Sequence, residues 1–556
     1  MATTADRLLW PTRIGLLIIL LATAGLVIYV RLRFAAAPLE RDEGEYAYAG
    51  QLILRGIPPY ELAYNMKFPG AYYAYAVLMA IFGQTATGIR VGLLAVHLVT
   101  VGFVFALGRR LVGPAAAAIG ASAFALLALD RWSMGIFGHA THFVLLPAVA
   151  GLFVLHGAMR SGRASAFVSA GFLMGLAIAM KQHALFFALL ALGFAWWSGR
   201  ASATSDRPWR ADYARKTMWK RAALVGGGLA LSFVMLATML AAHGVLGRFW
   251  FWTFQYGAAY VSGTPASIAT TMFGMAWGYI TQASAGLWYA ALAGIVLLFV
   301  VQWPRESRVF LVAWLVAAAL SVVPGYFFRP HYFIVLMPVA GLLVGVAIVS
   351  IDRALSRRLS AVGGRVVSGL ICLGLGIAWI VPNAGYLFRM TDTEVVRSVY
   401  QANPFPESPE IARYLGAHTE RNDRIAVFGS EPQIFFYADR ISATGYIYMY
   451  SLTEPQPFMR EMQDEMIREV ESAQPKYLVH VGMSSSWTAS LQPDTRMLTW
   501  MNAYVAKCYD RVGVVDIDVN GTSTVVWDDA VATYQPRTQS LVVTYRRRAT
   551  AECSAR

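Results

Sequence analysis

The chain has 556 residues, of which 57% are hydrophobic and 14% charged, and its 46 Lys and Arg against 32 Asp and Glu give a formal net charge of +14 at pH 7. That length exceeds one ordinary domain, and that apolar share belongs to a protein that crosses a membrane several times. The basic excess lies in short loops between apolar runs, with no basic patch interleaved with aromatics; this excludes nucleic acid as the partner and points to charge-determined topology and contact with anionic membrane lipid.

In chain order, Arg7 and Arg13 precede an apolar run over 14–30, short but sufficient to span at about 1.5 Å per residue. Arg31 and Arg33 stand between this run and Ala35-Ala36-Ala37, so it reads as an uncleaved anchor and not as a signal peptide. Arg41-Asp42-Glu43-Gly44-Glu45-Tyr46 follows at once. Carboxylates at the point where a helix leaves the bilayer are either solvated loop or act on something at the interface. Residues 42–55 read as an amphipathic helix with Tyr46, Leu52 and Ile53 on one face. The turn Gly56-Ile57-Pro58-Pro59-Tyr60 leads on to 71–83, a run behind Lys67 and Pro69 that is too short to span. Two interfacial helices are therefore expected in the first outer loop.

Apolar runs near 89–107, 114–130, 141–159, 164–180, 184–198, 222–242, 285–302, 308–324, 331–350 and 366–386 bring the expectation to about eleven transmembrane helices. Arg109-Arg110, Arg160 with Arg163, the basic loop 199–221, Arg305 with Arg308, and Arg353 to Arg365 mark one side as cytoplasmic. The N-terminus is then cytoplasmic, the chain lies in the cytoplasmic (inner) membrane, and everything after 386 is extracytoplasmic. Asn403-Pro404-Phe405-Pro406 reads as a linker. Beyond it, strands over 424–429, 476–481 and 522–527 alternate with helices over 456–473 and 494–508, which argues a soluble α/β layer. The expected division is a transmembrane domain over 1–386 and an extracytoplasmic α/β domain over 387–556. Cys372, Cys508 and Cys553 have no zinc-ligand spacing; in an exported tail Cys508 and Cys553 either pair or stay as thiols.

Several separate segments together resemble the C-type membrane glycosyltransferases of the protein-mannosyltransferase and lipid A aminoarabinose-transferase kind. They are Asp42-Glu43 after the first span, Asn65-Met66-Lys67-Phe68-Pro69-Gly70-Ala71-Tyr72-Tyr73, Gly175-Leu176-Ala177-Ile178-Ala179-Met180-Lys181-Gln182, and Arg329-Pro330-His331-Tyr332-Phe333 with Pro338. In the tail, Arg424 to Gly429 and Glu431 to Tyr437 are similar to the start of the exported domain of bacterial members. The resemblance implies a sugar carried on a polyprenyl phosphate and transferred outside the cytoplasm to a lipid, glycan or protein acceptor. Two positions depart from the pattern. Met66 stands where aminoarabinose transferases carry a glutamate, and His139-Ala140-Thr141-His142 where many relatives carry a carboxylate. Both departures weaken the case for a carboxylate-held divalent metal and leave the acceptor open.

Transfer from a phosphate-linked donor needs a base for the acceptor hydroxyl and cationic help for the departing phosphate. Asp42 is the candidate base, against a role as helix N-cap; Glu43 is its partner or a metal ligand, against a solvated face; Glu45 reads as surface. Lys67 is a candidate phosphate contact, against simple snorkelling. Lys181 is another, against a cation that suits a helix C-terminus. Arg329 and His331 are read as a phosphate clamp or as interface anchors. Tyr46, Tyr72, Asp130 and His142 are candidate cavity residues, Asp130 being explained equally by pairing with Arg131. His139 and His142, three apart on one helical face, are metal candidates beside Glu43. The aromatic stretch 249–256 is an interface belt or the wall of a lipid groove. The expectation is an inverting glycosyltransferase. A transporter or flippase would carry internal repeats and mid-span polar residues, which the sequence lacks. A non-catalytic scaffold would tolerate alanine at Asp42, Lys67 and Lys181.

Overall fold

A computed structural model describes residues 10–200, 208–262, 265–487, 496–520 and 522–549. Arg7, Cys553 and part of the basic loop 199–221 lie outside these residues. The chain divides into two compact units that are not consecutive in sequence: Met1–Phe34, Val91–Thr238 and Pro265–Arg389 in one, Ala35–Arg90, Met239–Thr264 and Met390–Arg556 in the other.

The protein is a multi-pass membrane protein. Among the described residues, six helices are long and apolar enough to cross a membrane, or seven if the pair Ala266–Thr281 and Ala285–Val300, bent by 111°, is taken as one span. The elements begin α1 (Trp10–Arg33), α2 (Arg41–Leu54), α3 (Gly70–Phe82), α4 (Ala86–Leu127), α5 (Ala140–Ser161), α6 (Ala164–Met180), α7 (Leu185–Ser198) and α8 (Pro208–Ala242). The later apolar helices are Ala285–Val300, Arg305–Leu320, Met337–Arg358 and Ala361–Phe388. Each apolar run expected as a span overlaps one of these helices, the run 331–350 beginning in the 3-10 turn Pro330–Leu336. Two of them, 89–107 and 114–130 as far as Leu127, share α4, where Gly113 at φ +81 breaks the helix just before Pro114. That backbone conformation and the missing Pro N–H end one helix and start the next without a loop.

The first unit is packed around Pro330–Arg358, whose most apolar window is 83% buried; that of α1 is 11% buried. Where hydrocarbon surrounds helices, small residues let backbones approach. A Cβ on Gly345 would meet the Ala116 carbonyl oxygen at 1.9 Å, and one on Gly341 the Gly120 oxygen at 2.4 Å. Arg31, 4% exposed, ends α1 by donating to the carbonyls of Ala128 and Gly135 at 3.2 and 2.9 Å. This basic residue on the expected outer side has carbonyl partners in the loop between α4 and α5.

The second unit contains a six-stranded sheet in the order β2-β1-β3-β6-β4-β5, with β1 (Arg424–Phe428), β2 (Ile441–Ser442), β3 (Tyr477–Val481), β4 (Tyr509–Asp516), β5 (Thr524–Trp527) and β6 (Leu541–Arg547). β1 pairs in parallel with β2 and β3; the remaining pairs are antiparallel. The strands expected at 424–429, 476–481 and 522–527 are β1, β3 and β5, and the expected helices are Met459–Ala473 and Arg496–Cys508. β4 and β6 were missed, although Val512–Val515 is an apolar run of the kind that marks a strand buried on both faces.

α2 and α3 occupy the two stretches expected as short helices. In α2, however, every residue from Glu43 to Leu52 is buried, so this helix does not present a single apolar face. It lies against α3 and against the helix Gln433–Ala438. Gly44 permits the second contact: a Cβ there would meet Gln433 Cβ and N at 2.6 Å. Tyr48 packs tilted against Phe435 with ring centroids 5.2 Å apart, and its hydroxyl accepts from Ser442 N at 2.9 Å. The stretch 249–256 departs from an interface belt. Phe249, Trp252 and Tyr256 are buried, with Phe249 against Tyr60 and Phe68 and Trp252 against Tyr64. Only Trp250 and Phe254 keep exposed rings.

Candidate active site

The second unit builds a charged cluster from its first helix upward. α2 begins with a capping box in which Glu40 accepts from Glu43 N at 2.8 Å and Glu43 Oε2 accepts from Glu40 N at 3.3 Å. Glu40 is therefore the N-cap, and Asp42 is not. The fixed helix start sets Asp42 and Glu45 three residues apart on one face. The loop 55–69 returns Lys67 to that face, held where Tyr64 N donates to the Gly445 carbonyl at 2.7 Å and Tyr60 OH donates to the Lys67 carbonyl at 2.7 Å.

Lys67 Nζ lies 2.7 Å from Asp42 Oδ1 and 2.5 Å from Glu45 Oε2, and over the rings of Tyr46 and Tyr448 at 4.7 and 5.4 Å. Tyr72 OH donates to Glu45 Oε1 at 2.6 Å. Tyr448 OH donates to Asp42 Oδ1 at 3.2 Å. The expectation that Glu45 is surface is overturned, since its side chain is fully buried, whereas those of Asp42 and Lys67 are 25% and 24% exposed. Burial pushes the Glu45 carboxyl up and Lys67 pulls it back. Burial alone would lower the Lys67 ammonium, but Asp42 and Glu45 outweigh it and hold the ammonium charged. The cluster thus combines a partly open carboxylate with a permanently charged cation, the pairing that proton abstraction beside an anionic leaving group requires.

Glu43 departs from its expected role. Both its oxygens are engaged by the buried Arg90, Nε to Oε1 at 2.8 Å and Nη2 to Oε2 at 2.6 Å. A carboxylate held bidentately by a guanidinium is a poor metal ligand. Arg41 completes the frame. It donates to the Ser430 carbonyl at 2.6 Å, Tyr450 OH at 2.6 Å, Asn403 Oδ1 at 3.0 Å and Glu431 Oε1 at 2.7 Å.

The first unit gathers the other cationic candidates. Lys181, at the end of α6, lies 3.8 Å over the Tyr332 ring. His331 packs edge-on to Tyr332 at 4.8 Å and stacks on His139 at 4.0 Å. Arg329 is exposed at the start of this turn, its carbonyl accepting from Tyr332 N at 2.8 Å. His142 is buried and faces His97, with ring centroids 6.5 Å apart. Asp130, read from the sequence as a cavity residue or as the partner of Arg131, is held in the loop after α4. It is 1% exposed, accepts from Ser284 Oγ, and accepts from Trp132 N at 2.8 Å. Ser284 Oγ in turn accepts from Trp379 Nε1 at 3.0 Å, so the Asp130 carboxylate ties together the loop after α4, Ser284 and the last apolar helix.

Sequence reasoning missed Glu45, Arg90 and Tyr448. Glu45 was signalled by its spacing from Asp42, and Arg90 by its place at the expected outer end of a span, the argument that did single out Lys181. Nothing local marked Tyr448, which reaches Asp42 only through the tertiary fold.

Residues 66–214 match the family model described as dolichyl-phosphate-mannose-protein mannosyltransferase. No curated protein matches the chain. Among solved structures it is similar to ArnT from Cupriavidus metallidurans in the apo state (TM-score 0.56, 14% identity, 96% of this chain and 98% of that one). It is likewise similar to the same protein bound to undecaprenyl phosphate (TM-score 0.55, 16% identity, 96% and 98%). A third is the archaeal oligosaccharyltransferase AglB from Archaeoglobus fulgidus in complex with an inhibitory peptide and a dolichol-phosphate (TM-score 0.52, 13% identity, 94% and 75%). At these identities the likeness is one of fold. The chain has the fold of these polytopic C-type membrane glycosyltransferases, as its motifs implied.

Proposed function

We propose that this protein is an inverting glycosyltransferase that moves a sugar from a polyprenyl-phosphate donor to a lipid, glycan or protein acceptor on the extracytoplasmic face of the cytoplasmic membrane. The observation that carries the reading is the Asp42–Lys67–Glu45 cluster, where a partly exposed carboxylate stands beside a charged ammonium immediately after a membrane helix. Asp42 takes the proton of the acceptor hydroxyl as it attacks the anomeric carbon. The bond from that carbon to the donor phosphate breaks, and the polyprenyl phosphate leaves with the electron pair. Lys67, beside Asp42, offsets its charge. Two solved proteins of the same fold carry undecaprenyl phosphate and dolichol-phosphate, which supports a polyprenyl phosphate here.

The test uses purified full-length protein with a polyprenyl-phosphate pentose or hexose and an envelope extract as acceptor. Transfer of the sugar and release of polyprenyl phosphate are expected, and both are lost in Asp42→Asn at unchanged thermal stability. Full turnover by Asp42→Asn would remove Asp42 from the mechanism.

A further inference from the structure

Asp42 is not positioned by its own helix alone. Lys67 Nζ and Tyr448 OH converge on the same oxygen, Oδ1, at 2.7 and 3.2 Å, the tyrosine coming from the segment between β2 and the helix Met459–Ala473. Glu45 draws the same ammonium from the other side at 2.5 Å, and Tyr72 occupies its second oxygen. One cation is therefore shared between two carboxylates of different kinds. Glu45 is fully buried with both oxygens engaged and cannot reach an acceptor, whereas Asp42 is partly open.

We propose that Glu45 and Tyr448 are positioning residues that act on Asp42 in opposite senses: Glu45 competes with Asp42 for Lys67 and keeps that carboxylate basic, while Tyr448 orients it and restrains its basicity. The importance of this for turnover rests on reading Asp42 as the base. The charged form of Glu45 raises the proton affinity of its neighbour by repulsion and by competing for the ammonium, whereas a hydrogen bond donated to a carboxylate lowers it. The groups facing Glu45 are Lys67 from the loop, Asp42 and Tyr46 on its own helix, Tyr72 on α3, Tyr60, and Tyr448 itself. Burial and the nearby Asp42 push the Tyr448 hydroxyl up, so it remains protonated and able to donate. The geometry is a clamp of which α2 and the loop 55–69 supply one jaw and the segment carrying Tyr448 the other.

The experiment titrates Asp42 directly. A water-soluble carbodiimide modifies protonated carboxyls, and peptide mass spectrometry of the full-length protein gives the labelling midpoint of Asp42 without any substrate. Glu45→Gln is expected to move that midpoint to lower pH by about one unit, and Tyr448→Phe to move it to higher pH by roughly half a unit. Glu45→Asp should restore part of the first shift. The acid limb of the pH–rate profile, read as release of polyprenyl phosphate from a short-chain donor, should move with each midpoint. Unmoved midpoints, or shifts of the same sign, would overturn the inference; if Glu45→Gln does not fold, the upward shift in Tyr448→Phe decides. Opposed midpoint shifts with an acid limb that stays put, or with a fully active Asp42→Asn, would leave the clamp intact and sink the assignment of Asp42 as base.

Discussion

Arg90 closes on Glu43 through two parallel charge-assisted hydrogen bonds of 2.8 and 2.6 Å, with the side chains 2% and 0% exposed. The Glu43 carboxylate also closes the capping box of α2, so this ion pair fixes the helix start that places Asp42 and Glu45. Removing one partner of a buried pair leaves a charge in low dielectric, at a cost of about 3–5 kcal/mol. Arg90→Met should therefore lower the thermal midpoint of the purified protein markedly, and the double variant with Glu43→Gln should recover part of the loss, because no charge is then stranded. A double variant as unstable as the sum of the two singles would refute the coupling.

Asp42 and Lys67 should separate kinetically. Loss of a general base costs about 100- to 10,000-fold in rate. Asp42→Asn is thus expected to lower kcat by at least the smaller factor with little change in donor KM. Lys67→Met should lower kcat and raise donor KM together, because its ammonium meets the donor as well as the base. Steady-state release of polyprenyl phosphate measures both parameters, and identical effects of the two variants would contradict the division of roles.

Gly44 lies inside the acidic motif for a packing reason. With 2.6 Å from its missing Cβ to Gln433, Gly44→Ala must push α2 away from Gln433–Ala438, and overpacking of this kind costs about 1–3 kcal/mol. A lowered melting temperature and reduced turnover are expected together. Gly15 has nothing within 4 Å of its missing Cβ, so Gly15→Ala serves as the neutral control.

Asp130 gives a pH signature. Burial pushes its carboxyl up from 3.8 to about 6. A carboxyl with a raised folded-state value binds its proton more tightly when folded, so its contribution to stability is complete below pH about 4 and is lost as pH rises through about 6. Asp130→Asn should therefore become more stable relative to the unchanged protein on going from pH 5 to 7.5. Melting curves in detergent across that range check this, and parallel pH dependences would rule it out.

Much of this protein was legible in its residues, for specific reasons. A span is a local matter: a run such as 366–386 must be apolar along its whole length, whatever it packs against, so hydropathy found the helices. The Gly113-Pro114 break that joins two runs within α4 is equally local. Asp42 and Lys67 stood out because charge beside an apolar run is rare. Partnerships were not legible. Glu45 looks like any exposed carboxylate until Lys67 and Tyr72 are placed on it, and Glu43 looks catalytic until Arg90 claims both its oxygens.

The sequence by itself determined that the chain enters the membrane repeatedly, where its helices lie, and that an acidic motif follows the first of them, since each is set by composition over a few turns. Only the tertiary structure decided which carboxylate keeps an open side, because burial and ion pairing depend on residues such as Tyr448 that are hundreds of positions away along the chain and within hydrogen-bonding distance in space.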